Sequence, residues 1–90
     1  MSMVDTANAR RNEMTKIKWT LGESGWRTQK FGGFLTDEIQ GTIVYFDEFD
    51  EWSGGVINWS EHSKSEFHYN FTSKLSATRW ANKKLRECGI

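Results

Sequence analysis

The chain is predicted to fold as an α+β domain, a three- to four-stranded antiparallel sheet with one C-terminal helix packed on one face. Three observations carry this. From Phe67 to Phe71 the sequence FHYNF alternates aromatic and polar residues with the period of a half-buried strand. Directly after it Ser73 stands where a helix N-cap belongs, and Ala77, Trp80, Ala81, Leu85 and Cys88 recur at helical spacing. Upstream, GTIVYFDEF at 41–49 is rich in β-branched and aromatic residues on both alternating sets, Thr42/Val44/Phe46 and Ile43/Tyr45, which is the composition of a central strand.

The elements follow in order. Residues 1–14 are polar and aperiodic and read as a flexible leader, so that one sheet-plus-helix domain spans 15–90. Met14 opens MTKIKWTL and looks like a second start. Lys16–Leu21 reads as a strand with Ile17 and Trp19 on one face and Lys16 and Lys18 on the other. Gly22–Gly25 is a turn, Trp26–Phe31 is extended, Gly32-Gly33 breaks the pattern, and Phe34–Gln40 fits either a short helical turn or a loop. In DEWSGG, 50–55, the glycine pair is expected to supply the positive φ of a hairpin connection, with Val56–Glu61 returning as a strand. His62–Ser65 is a polar turn. Glu66–Phe71 is then a strand whose Phe67/Tyr69/Phe71 face is expected to lie under the helix. Lys74–Cys88 is that helix, and Gly89 is its C′ residue.

Ninety residues make one small domain. Only 37% of them are hydrophobic, but five Trp and six Phe compensate, because each large ring buries roughly 150–250 Å². No apolar run approaches the ~20 residues of a membrane span, and no signal-like segment opens the chain. A single cysteine, Cys88, excludes an internal disulfide and points to a reducing compartment, most simply the cytoplasm of a bacterial host cell. Net charge is zero, yet unevenly placed. Residues 1–19 hold four cations and two acids, 20–66 hold three cations and nine acids, and 67–90 hold five cations and one acid. The sheet region is therefore acidic and the helix basic, which bears on partners rather than on fold.

The spacing Phe71-x-Ser73-x-x-x-Ala77-x-x-Trp80 resembles the strand-to-helix junction of a β-β-β-α class. That class includes the arm-type DNA-binding domains of phage integrases, the plant AP2 domain and many small phage and mobile-element proteins. The likeness covers about the last third of the chain. It implies a sheet with one helix and, in the DNA-binding members, an exposed sheet face rich in Arg and Lys. Here that face is expected to carry Glu66, His68 and Asn70 with Asp47 and Glu48, and acids facing phosphate are repulsive. A nucleic-acid-binding alternative would rest on Arg27, Lys30, Lys74, Arg79, Lys83 and Lys84.

The most unusual local composition is DEFDEW. Asp47, Glu48, Asp50 and Glu51 crowd a hairpin tip, and an exposed Trp52 among them would anchor in a basic groove of another protein. The run lacks the ligand spacing and central Gly of a Ca²⁺ loop, and two His with one Cys cannot close a Zn site, so neither metal nor cofactor is expected. Cys88 is expected on the buried side of the helix near its C-terminal end, where the macrodipole raises a thiol pKa. Glu61-His62 and Glu66/His68 are the only acid–base pairs, and no nucleophile accompanies them; no enzyme is expected. Trp26, Trp52 and Trp59 would matter only if exposed, as platforms for a sugar. The expectation is a non-enzymatic binding protein, an accessory or anti-defence-like protein of a phage or mobile element. It would act as an inhibitor that occludes a basic surface of a larger host protein.

Overall fold

The computed structural model describes residues 16–90, so the expected leader, 1–14, and Thr15 lie outside the described residues. The strands are β1 (Trp19–Gly22), β2 (Gly25–Thr28), β3 (Ile39–Phe46), β4 (Glu51–Asn58) and β5 (Glu66–Phe71), followed by helix α1 (Lys74–Glu87). They form one antiparallel sheet in the order β1-β2-β3-β4-β5, with β3 at its centre. The sheet thus has five strands rather than three or four. The two short N-terminal segments both pair, joined from Trp19↔Thr28 to Gly22↔Gly25 across the Glu23-Ser24 turn.

Strand register sorts the side chains into two faces. One row runs Leu21–Trp26–Ile43–Gly54–His68 and the next runs Thr20–Arg27–Thr42–Gly55–Phe67. Because successive residues of a strand point to opposite faces, only one of these rows lies beneath α1. It is the first. A Cβ on Gly54 would stand 2.9 Å from the Ala77 carbonyl oxygen, and one on Gly41 would stand 3.1 Å from Leu85 Cδ1. These glycines let the helix lie close on the sheet. The helix presents Ala77, Ala81 and Leu85, one buried residue every four, and small side chains there complement the bare strand. Ile43, Ala77 and Ala81 form the buried centre, with Trp19, Trp26, Trp52, Phe71 and Trp80 packed around it.

The helix ends are as the sequence implies. Ser73 caps α1, its Oγ accepting the Ser76 N–H at 3.1 Å. Gly89 follows Cys88 with φ of 90°.

Three expectations are corrected. The β3–β4 turn is Asp47–Asp50, with Asp50 itself at φ 50°, whereas Gly54 and Gly55 lie inside β4 because helix and ring approach them there. The return strand accordingly begins at Glu51. Most consequential is the face of β5. Glu66 and His68 lie under the helix, where Lys84 Nζ sits 3.4 Å from Glu66 Oε2 and the Trp80 ring stacks on His68 at 5.7 Å. Phe67 and Tyr69 lie on the opposite face. Between Gly54↔His68 and Trp52↔Phe71 β5 carries one extra residue, absorbed as a bulge by Asn70 at φ 71°. Phe71 is thereby turned back under the helix, 6.3 Å from Trp80. Trp80 therefore packs on Phe71 and His68, and Val44 and Phe46 lie on the open face. The ambiguous segment before β3 is a loop, closed by a bridge between Phe31 and Ile39.

Candidate binding surface

The face of the sheet turned away from α1 has no element packed over it among the described residues. Phe67 crosses Gly55, its register partner, so closely that a Cβ there would meet the ring. Tyr69 lies beside Phe46, with ring centroids 6.3 Å apart. Phe46, Phe67 and Tyr69 remain 39%, 48% and 53% exposed. Between them and the β1–β2 edge lie Thr42, Arg27 and Thr20. At the far end Trp59 donates its Nε1–H to Gln40 Oε1 at 3.1 Å, with Lys30 Nζ 4.8 Å above its ring.

The acidic turn stands at the Phe46 end of this face. Asp47, Glu48, Phe49 and Asp50 are all exposed, and Glu51 opposes Phe46 across the ladder. Asp50 is built into the turn, since Tyr45 Oη donates to its Oδ1 at 2.7 Å. That hydrogen bond to a carboxylate holds the Tyr45 hydroxyl above its usual pKa, with burial and the charges of Asp50 and Asp47 adding to it. The ion pairs formed among the described residues involve other acids: Glu38, Asp37, Glu61, Glu66 and Glu87.

Trp52 does not stand at the tip. It points to the helix side, 4.8 Å from the Tyr45 ring, and packs against the core. Its place in β4 decides this, because Trp52 opposes Tyr45 in register two residues from Gly54. The acids expected around an exposed tryptophan are present; the aromatic groups near them are Phe49, Phe46 and Tyr69.

The six cations of the nucleic-acid alternative do not converge. Arg27 is on the open face, while Lys74, Arg79, Lys83 and Lys84 are on α1, across the sheet. Lys74 Nζ lies 3.3 Å from the Trp26 ring centroid, which covers that ring, and Lys30 pairs with Glu38 at 3.7 Å. Lys84 bridges Glu66 and Glu87, and those hydrogen-bonded carboxylates raise its pKa. Arg79 and Lys83 are exposed.

Cys88 is exposed rather than buried, since it caps the helix beyond its last packed turn. Its thiol is still pushed up, by partial desolvation and then by Glu66 and Glu87. His62 is edge-on to Trp59 and His68 is stacked on Trp80, so both imidazoles are engaged with rings. Among the described residues no three His, Cys, Asp or Glu side chains are grouped to hold a metal ion, and no helix is long and apolar enough to cross a membrane. Comparison with family models, curated proteins and solved structures finds no match to this chain.

The aromatic patch on the open face was not legible as such in the sequence. The one available signal was the glycine pair in β4, because a glycine opposite an aromatic on a neighbouring strand is a site where the ring lies flat on the backbone.

Proposed function

We propose that this chain is a non-enzymatic binding protein that docks the open face of its sheet on a larger protein and occludes it. The supporting observation is the grouping of Phe46, Phe67 and Tyr69 on the face opposite the helix, with the acidic turn at its end. About half of each ring is exposed, on the order of 300 Å² together, the size of patch that on a monomer is often functional. An interface centre depleted of charge and rich in aromatic rings, with charges at the rim, is the usual composition of a protein–protein contact. Asp47, Glu48, Asp50 and Glu51 supply a rim of one sign, which favours a partner whose groove is edged with Lys and Arg. Such a blocking role fits an accessory protein of a phage or mobile element.

The test is affinity capture from bacterial lysate with wild type, Phe67→Ser/Tyr69→Ser and Asp47→Lys/Asp50→Lys. The ring variant should lose the captured partner. The charge variant should slow association and weaken the dependence of binding on salt. Identical partner lists for all three proteins would remove this surface from the mechanism.

A second reading, a nucleic-acid-binding module, draws support from one observation. Glu66 and His68 lie on the helix side, so the open face offers Arg27 together with rings on which bases stack. A single-stranded oligonucleotide titrated at ~50 and ~200 mM salt discriminates the two, because several phosphate contacts give a steep loss of affinity with salt.

A further inference from the structure

The β1–β2 border of the open face carries a cationic cleft. Lys18, Thr20, Gly22, Arg27 and Gln29 line a space of about 580 Å³ there. Thr20 and Arg27 are register partners, so their side chains leave the sheet on the same side. Gln29 ties the start of β1 to β2 beside them. Its Oε1 accepts the Lys18 N–H at 3.2 Å, and its Nε2 donates to the Lys16 carbonyl at 2.7 Å. Lys18 is thereby held next to the Thr20–Arg27 pair.

No described carboxylate lines this cleft. Glu23, in the adjoining turn, borders a separate hollow with Trp26, Tyr45 and Trp52. Lys30, Lys64 and Lys84 are each paired with acids, whereas Lys18 and Arg27 have no acidic partner among the described residues. Arg27 is half-buried all the same. Two cations thus share one concave space without a counter-charge, and such a space concentrates positive potential.

We propose that this cleft binds the phosphoryl group of a phosphate ester. Arg27 offers a planar fork of donors for two phosphate oxygens, Lys18 a point charge, and Thr20 a hydroxyl donor. Donors that reach one anion from two strands suit a tetrahedral oxyanion better than a planar carboxylate. The volume lies within the ~300–1,000 Å³ of small-molecule sites and exceeds a phosphate group alone, which leaves room for the esterified part. That part belongs to a small soluble molecule or to a nucleic-acid strand, and the phosphate chemistry is the same in both. The site uses none of the rings of the docking patch. It adds Lys18 and Thr20 to Arg27, the cation on which the nucleic-acid reading draws for this face.

Amide NMR titration of the full 90-residue chain tests this. Chloride is replaced by phenyl phosphate at constant ionic strength, and a single-stranded oligonucleotide is titrated separately. Phenyl phosphate should give saturable shifts centred on 18–20 and 27–29, with a Kd of ~1–10 mM. Arg27→Gln and Lys18→Gln should each weaken binding about tenfold with the remaining amides in place, while Lys83→Gln on the helix should leave it unchanged. An oligonucleotide that moves the same amides and is displaced by phenyl phosphate assigns the group to a strand; one that moves none of them assigns it to a small ester. Shifts that do not saturate, that survive both cleft substitutions, or that centre on α1 overturn the proposal. Oligonucleotide binding at Arg79 and Lys83, with no phenyl phosphate bound in the cleft, overturns it while leaving the nucleic-acid reading in place. The docking patch, built from other residues, is untouched by any of these results.

Discussion

Gly54→Ala probes how closely the helix lies on the sheet. The added methyl would sit 2.9 Å from the Ala77 carbonyl oxygen and 3.1 Å from Trp80 Cε3, against the ~3.5–4.0 Å of comfortable contact. The oxygen is helix backbone and cannot step aside alone, so α1 must lift from β4 over its buried Ala77–Ala81 contact. Overpacking of this kind costs ~1–3 kcal/mol. Loss of glycine freedom in the unfolded chain returns about 0.4–1 kcal/mol, leaving a net destabilisation of about 1–2 kcal/mol. A domain of this size melts about 4–8 °C lower per kcal/mol, so the midpoint of thermal unfolding followed by circular dichroism should fall by roughly 4–16 °C. Gly55→Ala is the control. Its methyl meets the half-exposed Phe67 ring and, at 2.9 Å, Thr42 Cγ2, side chains of the open face rather than helix backbone, so the loss should be smaller than that of Gly54→Ala. Gly54→Ala melting within ~2 °C of wild type, or Gly55→Ala melting lower than Gly54→Ala, would refute the close approach of α1 to β4.

Trp80→Ala and Trp52→Ala should both destabilise the fold, by about 2–4 kcal/mol each in denaturant titration, since both rings pack on the Ile43 centre and neither is fully enclosed. Asp50→Asn keeps a residue type that tolerates the positive φ at that position but removes the charged acceptor, so the Tyr45 hydroxyl should titrate lower, toward ~10, by NMR. Because Tyr45 holds its proton more tightly folded than unfolded, its contribution to stability is complete below about pH 10 and is lost as pH rises through the elevated folded value. In the Asp50→Asn variant this part of the alkaline loss should shrink. Cys88, exposed but with its thiol raised, should react slowly with Ellman's reagent near pH 7, and Glu87→Gln should speed the reaction.

The sequence carried the order of elements at the C-terminal end because each boundary there has its own chemistry. Ser73 accepts the Ser76 N–H, Gly89 alone takes the positive φ after the helix, and Ala77, Ala81 and Leu85 repeat every fourth residue. The central position of β3 was legible from two apolar sets in alternation. What alternation cannot say is which set is covered. In β5 the aromatic set looked like core, yet His68 under Trp80 and Glu66 beneath Lys84 occupy the inner face. The outcome was fixed by pairing with β4, where Gly54 had to face the helix and Gly55 the open side. The same register moved Trp52 off the hairpin tip, so the acids of the expected site survive as a rim while the tryptophan does not anchor it. The two short N-terminal strands lacked a long periodic signal, and their pairing depends on a β3 edge that only the assembled sheet provides.

Amide hydrogen exchange on a captured complex tests the docking surface most directly. Binding through the open face should slow exchange at Phe67–Tyr69 on the β5 edge and at 47–51 in the acidic turn, while the outer turns of α1 around Arg79 and Lys83 exchange as in the free protein. Protection confined to α1, with β5 and the acidic turn unchanged, would contradict a function carried by the open face of the sheet.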